Sequence, residues 1–219
     1  MSKLKNVTLR EQKAAQTKIA IIKSVQSKLN EKSLAEISVK EICDDVLISE
    51  GTFFNYFPKK SDILTAFIQF WSVEILWIAK VKYQIQSGLG IIEKVLEETG
   101  KQLVEGPNIM REIISMMAIA PSEMKFDKLT PVEKKIAFPD CGGIESIDDD
   151  QLNTVFYDNI MLAIEQGELP PDTNPVSAMV NILSIFFGIP LMLKDEFQPM
   201  IPDAYKEQFQ YFLKAFRKD

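Results

Sequence analysis

The residues best placed to do chemistry in this sequence lie in one short segment, ISEGTFFNYFPKKSD, at positions 48–62. It opens with a serine that can cap a helix, continues with Glu50 and the lone glycine Gly51, and closes with two lysines. Hydroxyl groups, backbone amides and lysines are the groups with which proteins hold phosphates, whereas a carboxylate opposes a polyanion. The segment is therefore either core packing or a surface that meets nucleic acid.

Two short helices must position these residues. SVKE at 38–41 is a capping box, in which the Ser38 hydroxyl and the Glu41 carboxylate each accept from the other's backbone amide, and the helix it opens ends near position 46. The next helix starts at Ser49 and ends before Pro58, since the residue ahead of a proline is pushed out of the helical region. Two such helices joined by a tight turn form the pattern of a helix-turn-helix.

In a helix-turn-helix the second short helix lies in the major groove with its N-terminal residues against the bases. Gly51 lets the backbone approach DNA, and Thr52 can contact a thymine methyl or a phosphate. Tyr56 and the two lysines can hold the phosphate backbone. The candidate DNA-binding residues are Ser38, Val39, Lys40, Ser49, Glu50, Gly51, Thr52, Phe54, Tyr56, Lys59 and Lys60.

The aromatic residues of the segment divide between core and surface. Phe53 and Phe57 are expected in the core. For Phe54 two alternatives stay open, a partly exposed ring against the DNA backbone or a ring that joins the core of a distorted helix.

The longer stretch EISVKEICDDVLISEGTFFNYFPKKSDIL resembles the DNA-binding signature of the tetracycline-repressor (TetR) family of bacterial transcriptional regulators, over about residues 12–68. The resemblance implies a three-helix DNA-binding domain, a helical ligand-binding domain and dimerisation through the final two helices. The sequence departs from the family pattern in its turn, where Val46 and Leu47 replace Ala-Gly. Phe54 stands for a tyrosine, and Lys59 stands for a small capping residue.

Glu50 admits two interpretations, because the family commonly has lysine or a neutral polar residue there. Near the start of a helix its charge interacts favourably with the helix dipole, by about 0.3–1 kcal/mol. Alternatively, its carboxylate accepts a hydrogen bond from cytosine N4 and so specifies a base.

Composition narrows the classes of function. The chain of 219 residues contains no histidine, and its two cysteines, Cys43 and Cys141, show no paired or metal-ligand spacing. We therefore expect no enzyme, no metal site, no cofactor and a cytoplasmic location. Residues 1–60 hold 11 Lys and Arg against 7 Asp and Glu, whereas residues 61–219 hold 14 against 24. A polyanion would be attracted to the first part and repelled by the second.

Apolar spacing at helical period predicts an all-α protein of about nine helices. We expect a DNA-binding domain at 1–58 and a helical regulatory, ligand-binding and dimerisation domain at 59–219. SGLG at 87–90 is expected to break the long helix that starts at Lys59, and 121–147 has too many prolines and glycines for a clear assignment. DDD at 148–150 is expected to cap the next helix rather than to bind a cation. The further predicted helices are 8–29, 91–104, 108–119, 149–166, 175–194 and 203–217, bounded in part by Pro107 and Pro121.

The end of the chain predicts an interface. Residues 175–193 carry no charge and are apolar on all sides, so they are either a marginal membrane span or, as we expect, a helix buried partly by a second subunit. The last helix has an aromatic seam at spacings of four, three and four residues. We predict a homodimer, with no membrane partner, through Met179, Leu183, Phe186, Phe187, Tyr205, Phe209, Phe212 and Phe216.

Methionines and aromatic residues between the two ends can either line a ligand pocket or form core. The candidate ligand-binding residues are Trp71, Ile75, Met110, Ile114, Met117, Phe156 and Met161. Together these features predict a regulator, expected to be a repressor, that binds an inverted-repeat operator in double-stranded DNA as a homodimer and is released by a small apolar ligand. The alternative is a helical ligand- or partner-binding protein whose DNA binding is weak or lost.

Overall fold

The computed structural model describes residues 7–106, 108–119, 127–149, 151–193 and 195–216, and all regular structure in these ranges is helical. The chain divides into two units, which are considered separately below. Unit 1 consists of Met1–Glu74 and Glu112–Asp149, and unit 2 consists of Ile75–Arg111 and Asp150–Asp219. The boundary predicted at residue 58 divides the chain by function, into a DNA-binding and a regulatory part, and it differs from the boundary between the two packing units. The functional boundary stays a prediction.

Unit 1 begins with three helices that match the sequence expectation. They are α1 (Leu9–Lys28), α2 (Val39–Val46) and α3 (Glu50–Tyr56). One side of α1 is buried, with Ala15, Ile19, Ile21, Ile22 and Val25, and it is continued by Leu29 just after the helix. Helix α1 starts with a capping box between Thr8 and Glu11, so side-chain hydrogen bonds fix its start.

Three further helices lie wholly or mostly in unit 1. Helix α4 (Asp62–Trp77) starts in unit 1 and ends in unit 2, α6 (Asn108–Ile119) starts in unit 2 and continues in unit 1, and α7 is Pro131–Ala137. Helix α7 falls in the stretch left unassigned from the sequence. It has a capping box of its own between Thr130 and Glu133, and Lys18 of α1 forms an ion pair of 2.6 Å with Glu133. The positions 121–126, with Pro121, lie outside the described residues, as does Pro107.

Asp148 and Asp149 do not cap the next helix, so that expectation is wrong for these two aspartates. Helix α8 has Gln151 at its N-cap and no side-chain cap. Asp149 instead accepts from the Leu129 amide at 2.5 Å and from the Lys134 ammonium at 3.3 Å. Lys134 is buried and also donates to the Ile147 carbonyl, so Asp149 closes the loop after α7. Asp150 lies outside the described residues.

Unit 2 contains the remaining helices. They are α5 (Gly88–Glu105), the start of α6 (Asn108–Ile119), α8 (Leu152–Glu165), α9 (Pro175–Met192) and α10 (Ile201–Lys214). Helix α4 continues as a π-helical turn, Ile78–Lys82, and the chain then takes a left-handed conformation at Gln84, where φ is 52°.

The sequence SGLG starts a helix rather than breaking one, which corrects the expectation. Ser87 is the N-cap of α5, and its hydroxyl accepts from the Gly90 amide at 2.8 Å. A Cβ atom on Gly88 would lie 2.3 Å from the Asn159 carbonyl oxygen and 2.6 Å from the Ala163 nitrogen of α8. Glycine is required here because the backbones of α5 and α8 are in direct contact.

Among the residues that the structure describes, two helical segments are long and apolar enough to cross a membrane by length and composition. The segment Asp62–Lys82 has a mean hydropathy of 1.4 over its most apolar window, of which 72% is buried, whereas Pro175–Met192 reaches 1.8 with only 22% buried. The first is a core helix. The second leaves most of an uncharged surface uncovered by this chain.

Candidate nucleic-acid interface

The start of α2 is held by hydrogen bonds to side chains. Ser38 and Glu41 form the predicted capping box, with the Glu41 amide 3.1 Å from the Ser38 hydroxyl and the Ser38 amide 2.8 Å from the Glu41 carboxylate. The Lys32 ammonium also donates to Glu41, at 2.5 Å. This hydrogen bond, followed by those from Ser38, lowers the pKa of Glu41 to about 2. Val39 and Lys40 follow in the first turn, with Lys40 exposed.

The turn between the helices contains an unfavourable backbone conformation. Leu47 ends α2 in the left-handed region, with φ 58° and ψ 48°, and its amide donates to the Cys43 carbonyl. The side chain of Leu47 is 90% exposed. A β-carbon in this region costs about 1–2 kcal/mol, and glycine, which the resembled family has here, avoids that cost. The turn therefore keeps its left-handed geometry with a residue poorly suited to it.

Helix α3 presents its first turn to solvent. Ser49 caps it, accepting from the Thr52 amide at 3.1 Å, and the Ser49 and Thr52 hydroxyls lie 2.9 Å apart. Gly51 is exposed, and a Cβ atom added to it would meet only the Ser49 hydroxyl, at 3.9 Å. Unlike Gly88, Gly51 is not required by packing within the chain.

The rings of α3 separate as expected. Phe53 and Phe57 are buried at 0% and 3% exposure, whereas Phe54 is 47% exposed and meets Phe53 edge to face at 5.3 Å. Of the two alternatives for Phe54, the partly exposed ring is the one observed. Tyr56 is half-buried at the end of the helix.

The lysines after α3 differ in their partners. The Lys60 ammonium donates to the Ile37 carbonyl at 2.7 Å and lies 3.3 Å from the Ala35 carbonyl. Lys60 thus fixes the chain just before α2, and any phosphate contact would use its remaining donor capacity. Lys59 is exposed, and its backbone amide donates to the Asp62 carboxylate at 2.8 Å, so the first residue of α4 fixes the chain that leads into it.

Acidic residues near α3 are partly neutralised. Asp45 accepts from Lys28 at 2.8 Å and from the Ser24 hydroxyl at 2.7 Å. The Lys28 hydrogen bond, followed by that of Ser24, lowers the pKa of Asp45. Asp44 and Glu50 are exposed. Burial, with a smaller contribution from these two carboxylates, raises the pKa of the Cys43 thiol.

Three contributors to this surface were missed from the sequence. They are the ion pairs made by Lys32 and Lys28 and the hydrogen bonds from Lys60 to backbone carbonyls. The residues in these contacts are 9 to 25 positions apart in the sequence. No local pattern marks such pairs. The left-handed Leu47 could have been found, because a turn of this kind calls for glycine.

The candidate ligand-binding residues belong to different environments. Ile75, Met110 and Phe156 are buried in unit 2, where the Phe156 ring lies 5.6 Å from that of Phe186. These side chains form core. Met161 is half-buried in the same unit, and the half-buried candidates of unit 1 are Trp71, Ile114 and Met117.

The aromatic seam of α10 packs largely inside unit 2, and its part in a dimer interface stays a prediction. Tyr205, Phe209 and Phe212 are buried, and the Tyr205 hydroxyl donates to the Phe186 carbonyl at 2.6 Å. Phe186 is buried as well. Burial raises the pKa of Tyr205. The partly exposed members of the predicted set are Met179, Leu183, Phe187 and Phe216.

The largest exposed apolar side chains of α9 are on its other face: Val176, Val180, Leu191 and Met192. Within the described ranges, no group of three or more Cys, Asp or Glu side chains is arranged to hold a metal ion.

No protein-family model matches the sequence, and no curated protein matches it. Solved structures, by contrast, do match this chain. FadR of Thermus thermophilus, a TetR-family transcriptional repressor in complex with lauroyl-CoA, is 15% identical with a TM-score of 0.61, covering 92% of this chain and 96% of its own. A TetR transcription regulator from Haloarcula marismortui is 16% identical with a TM-score of 0.61, covering 93% and 100%.

RolR in complex with resorcinol is 16% identical with a TM-score of 0.55, covering 95% of this chain and 96% of its own. At these identities the likeness concerns the fold, and it extends over nearly the whole length of the chains compared. The all-α expectation is confirmed. This chain has the fold of the TetR-family transcriptional regulators.

Proposed function

We propose that this protein is a DNA-binding transcriptional regulator that reads DNA with α3. The observation that carries the proposal is Gly51. It is an exposed helical glycine with space for a side chain, at the end of the helix that a helix-turn-helix places in the major groove. Ser49 and Thr52 flank it with hydroxyl groups, so this turn offers a close, polar approach to bases and phosphates.

The residues around α3 supply the phosphate contacts in this proposal. The first turn of α2, with Ser38, Val39 and Lys40, directs backbone amides and a cation outward. Tyr56 and Lys59 act at the other end of α3. Phe54 packs its exposed part against the sugar-phosphate backbone. The main role of Lys60 in the proposal is to position α2 through its hydrogen bond to the Ile37 carbonyl.

The proposal includes a homodimer that forms through the exposed face of α9. Val176, Val180, Leu191 and Met192 line a helix that carries no charge from 175 to 192. Burial of such a face against its two-fold copy would remove it from water and bring two α3 helices to one duplex. The operator is then an inverted repeat.

Ligand control completes the proposal. FadR and RolR were solved with lauroyl-CoA and resorcinol, which supports a small-molecule effector here, and we propose an apolar one. Helix α4 starts beside Lys59 and Lys60 and runs on to Trp77, so ligand contacts along it can reach the DNA-binding helices. A preference of about 1–3 kcal/mol for the non-binding conformation suffices to change occupancy. We propose release from DNA, as in a cytoplasmic repressor.

The competing function is a helical ligand- or partner-binding protein without DNA binding. Exposed Glu50 and Asp44 favour it, because both repel phosphate. Asp45 does not add to this repulsion, since Lys28 neutralises it. The proposal includes no enzymatic activity.

Selection of genomic fragments by the purified protein at low and at near-physiological salt tests the proposal. We expect enrichment of a short inverted repeat whose affinity falls steeply with salt. Absence of DNA binding even at low salt would leave the competing function.

Glu50→Gln then separates the two interpretations of that carboxylate. Uniformly tighter binding to all enriched sites indicates that Glu50 only interacts with the helix dipole. A gain confined to sites with changed bases indicates that it reads cytosine.

A further inference from the structure

Helix α4 has a single accessible stripe in unit 1. From Ile63 to Val73 every side chain is buried except Phe67 and Trp71, and Glu74 is the next residue with partial exposure. Gln69 and Ser72, the polar residues between them, are buried and donate to the Asp127 and Ile68 carbonyls.

The three accessible residues share one face. They stand at positions i, i+4 and i+7 of a continuous α-helix, which places them within a narrow arc and in neighbouring turns. The stripe therefore consists of two aromatic rings followed by one carboxylate.

Glu74 is an unfavourable choice if the stripe serves only for packing. Burial raises the pKa of its carboxyl. A carboxyl shifted in this direction lacks enough compensation from cations and hydrogen-bond donors for the cost of leaving water. A ligand that brings a positive charge would supply that compensation.

The neighbouring rings suit the same ligand. The faces of tryptophan and phenylalanine attract organic cations, and this attraction is largest where water is displaced. Their hydrocarbon surface also binds the apolar body of such a molecule.

We propose that Phe67, Trp71 and Glu74 form a subsite for the cationic group of an amphiphilic organic ligand. Glu74 pairs with the charge, and the two rings pack against the substituents around it. An anionic ligand would be repelled by Glu74, and a neutral one would leave the carboxylate uncompensated. A bare metal ion is unsuited, because hard cations need six or more oxygen ligands and the stripe offers one carboxylate.

The proposal deepens the proposed function by naming the charge of its effector, and ligand binding can be measured without DNA. The chain has two tryptophans, so Trp77→Phe leaves Trp71 as the only fluorescent reporter. The probes are tetraphenylphosphonium and tetraphenylborate, which share size and shape and differ in the sign of their charge.

We expect the Trp77→Phe protein to bind tetraphenylphosphonium at least about tenfold more tightly than tetraphenylborate, with a change in Trp71 fluorescence. Adding Glu74→Gln should weaken binding of the cation about tenfold and should not weaken binding of the anion. The matched control is Glu93→Gln, which removes an exposed carboxylate from α5 and should leave both affinities unchanged.

Equal binding of both probes, or equal effects of Glu74→Gln and Glu93→Gln, would overturn the subsite. Phe67→Leu provides a second variant. It keeps an apolar side chain but removes a ring, and it should weaken binding of the cation alone. The genomic-fragment selection reports on DNA binding separately, so either proposal can fail while the other stands.

Discussion

Two helix pairs of this molecule, α2 with α3 and α9 with α10, differ in the polar contacts that accompany their buried side chains. The first pair buries Phe53 and Phe57, and hydrogen bonds also fix its helix starts: Ser38 and Ser49 cap the helices, Glu41 binds Lys32, and Lys60 holds the chain before α2. Packed rings fix the second pair, with Tyr205 and Phe186 at its centre.

The pairs also differ in what they leave exposed. Helix α3 exposes one ring, Phe54, beside hydroxyl groups and a glycine, whereas α9 exposes Val176, Val180, Leu191 and Met192 along an uncharged helix. A polar surface with a single ring suits a hydrated polyanion, and an uncharged surface with several exposed apolar side chains suits another such surface. The pair with capped and ion-paired helix starts thus exposes a polar surface, whereas the pair with packed rings exposes a largely apolar one.

The largest expected effect comes from placing charged side chains among the exposed apolar residues of α9. In a two-fold dimer, Val176→Glu with Val180→Glu brings four carboxylates into one interface, and we expect the dimer dissociation constant to rise at least about 100-fold. Sedimentation velocity over a concentration series measures it. Val104→Glu, on an exposed part of α5, is the matched control. Unchanged sedimentation of the α9 variant would show that this face does not join subunits.

Gly51→Ala tests whether the exposed first turn of α3 approaches DNA closely. The added methyl has room within the chain and raises helix propensity, so stability should stay equal or rise by up to about 1 kcal/mol. The lost close approach should weaken operator binding by about 10- to 100-fold, equivalent to about 1–3 kcal/mol. Fluorescence anisotropy with an enriched fragment measures this.

The control for Gly51→Ala is Gly142→Ala, which adds a methyl at another open glycine of unit 1. Both variants should fold, as judged by circular dichroism. Equal DNA affinity of the two would mean that α3 does not approach DNA closely at Gly51.

Leu47→Gly tests how far the polar pair tolerates strain. Relief of the left-handed β-carbon, partly offset by the entropy that glycine adds to the unfolded chain, should stabilise the protein by roughly 0.5–1 kcal/mol. The urea midpoint measures this. Leu47→Ala keeps the β-carbon and should gain nothing from the backbone. If Ala and Gly stabilise equally, the cause is the loss of an exposed apolar side chain.

The smallest expected effect concerns pH. The pKa of Glu41 is lowered from 4.5 to about 2, first by Lys32 and then by Ser38. Since the folded value is the lower one, its stabilisation is complete above about pH 4.5 and is lost as the pH falls toward 2. Glu41→Gln keeps the cap but not the charge. It should therefore lower the urea midpoint at about pH 6 and less so at about pH 3.

Exposed Glu93 in α5 again provides the comparison. Glu93→Gln should change the midpoint little at either pH. A loss in Glu41→Gln that is the same at both pH values would show that the carboxylate stabilises α2 without its charge.

Local signals predicted the polar pair well. The capping residues and the burial of Phe53 and Phe57 follow from motifs within a few residues, because caps and turns are local interactions. Helix α7 was missed although Thr130 and Glu133 form a capping box, since nearby prolines and glycines indicated a loop.

Contacts between distant residues could not be predicted. The spacing of Tyr205, Phe209 and Phe212 shows that they share a helix face, but not that this chain covers that face itself. The partners of Lys60 are carbonyl groups, which every residue has. The roles of individual DNA- and ligand-binding residues stay predictions until the complexes are measured.

The absence of a side chain at Gly88 has a mechanical consequence. A methyl there would overlap the backbone of α8, and Ser87 and Leu89 are both hydrogen-bonded to Glu168 just after α8. The start of α5 and the end of α8 therefore move as one rigid body. Along the chain, α4 is joined to this body through Ile78–Gln86, where the π-helical turn and the left-handed Gln84 interrupt the regular helix.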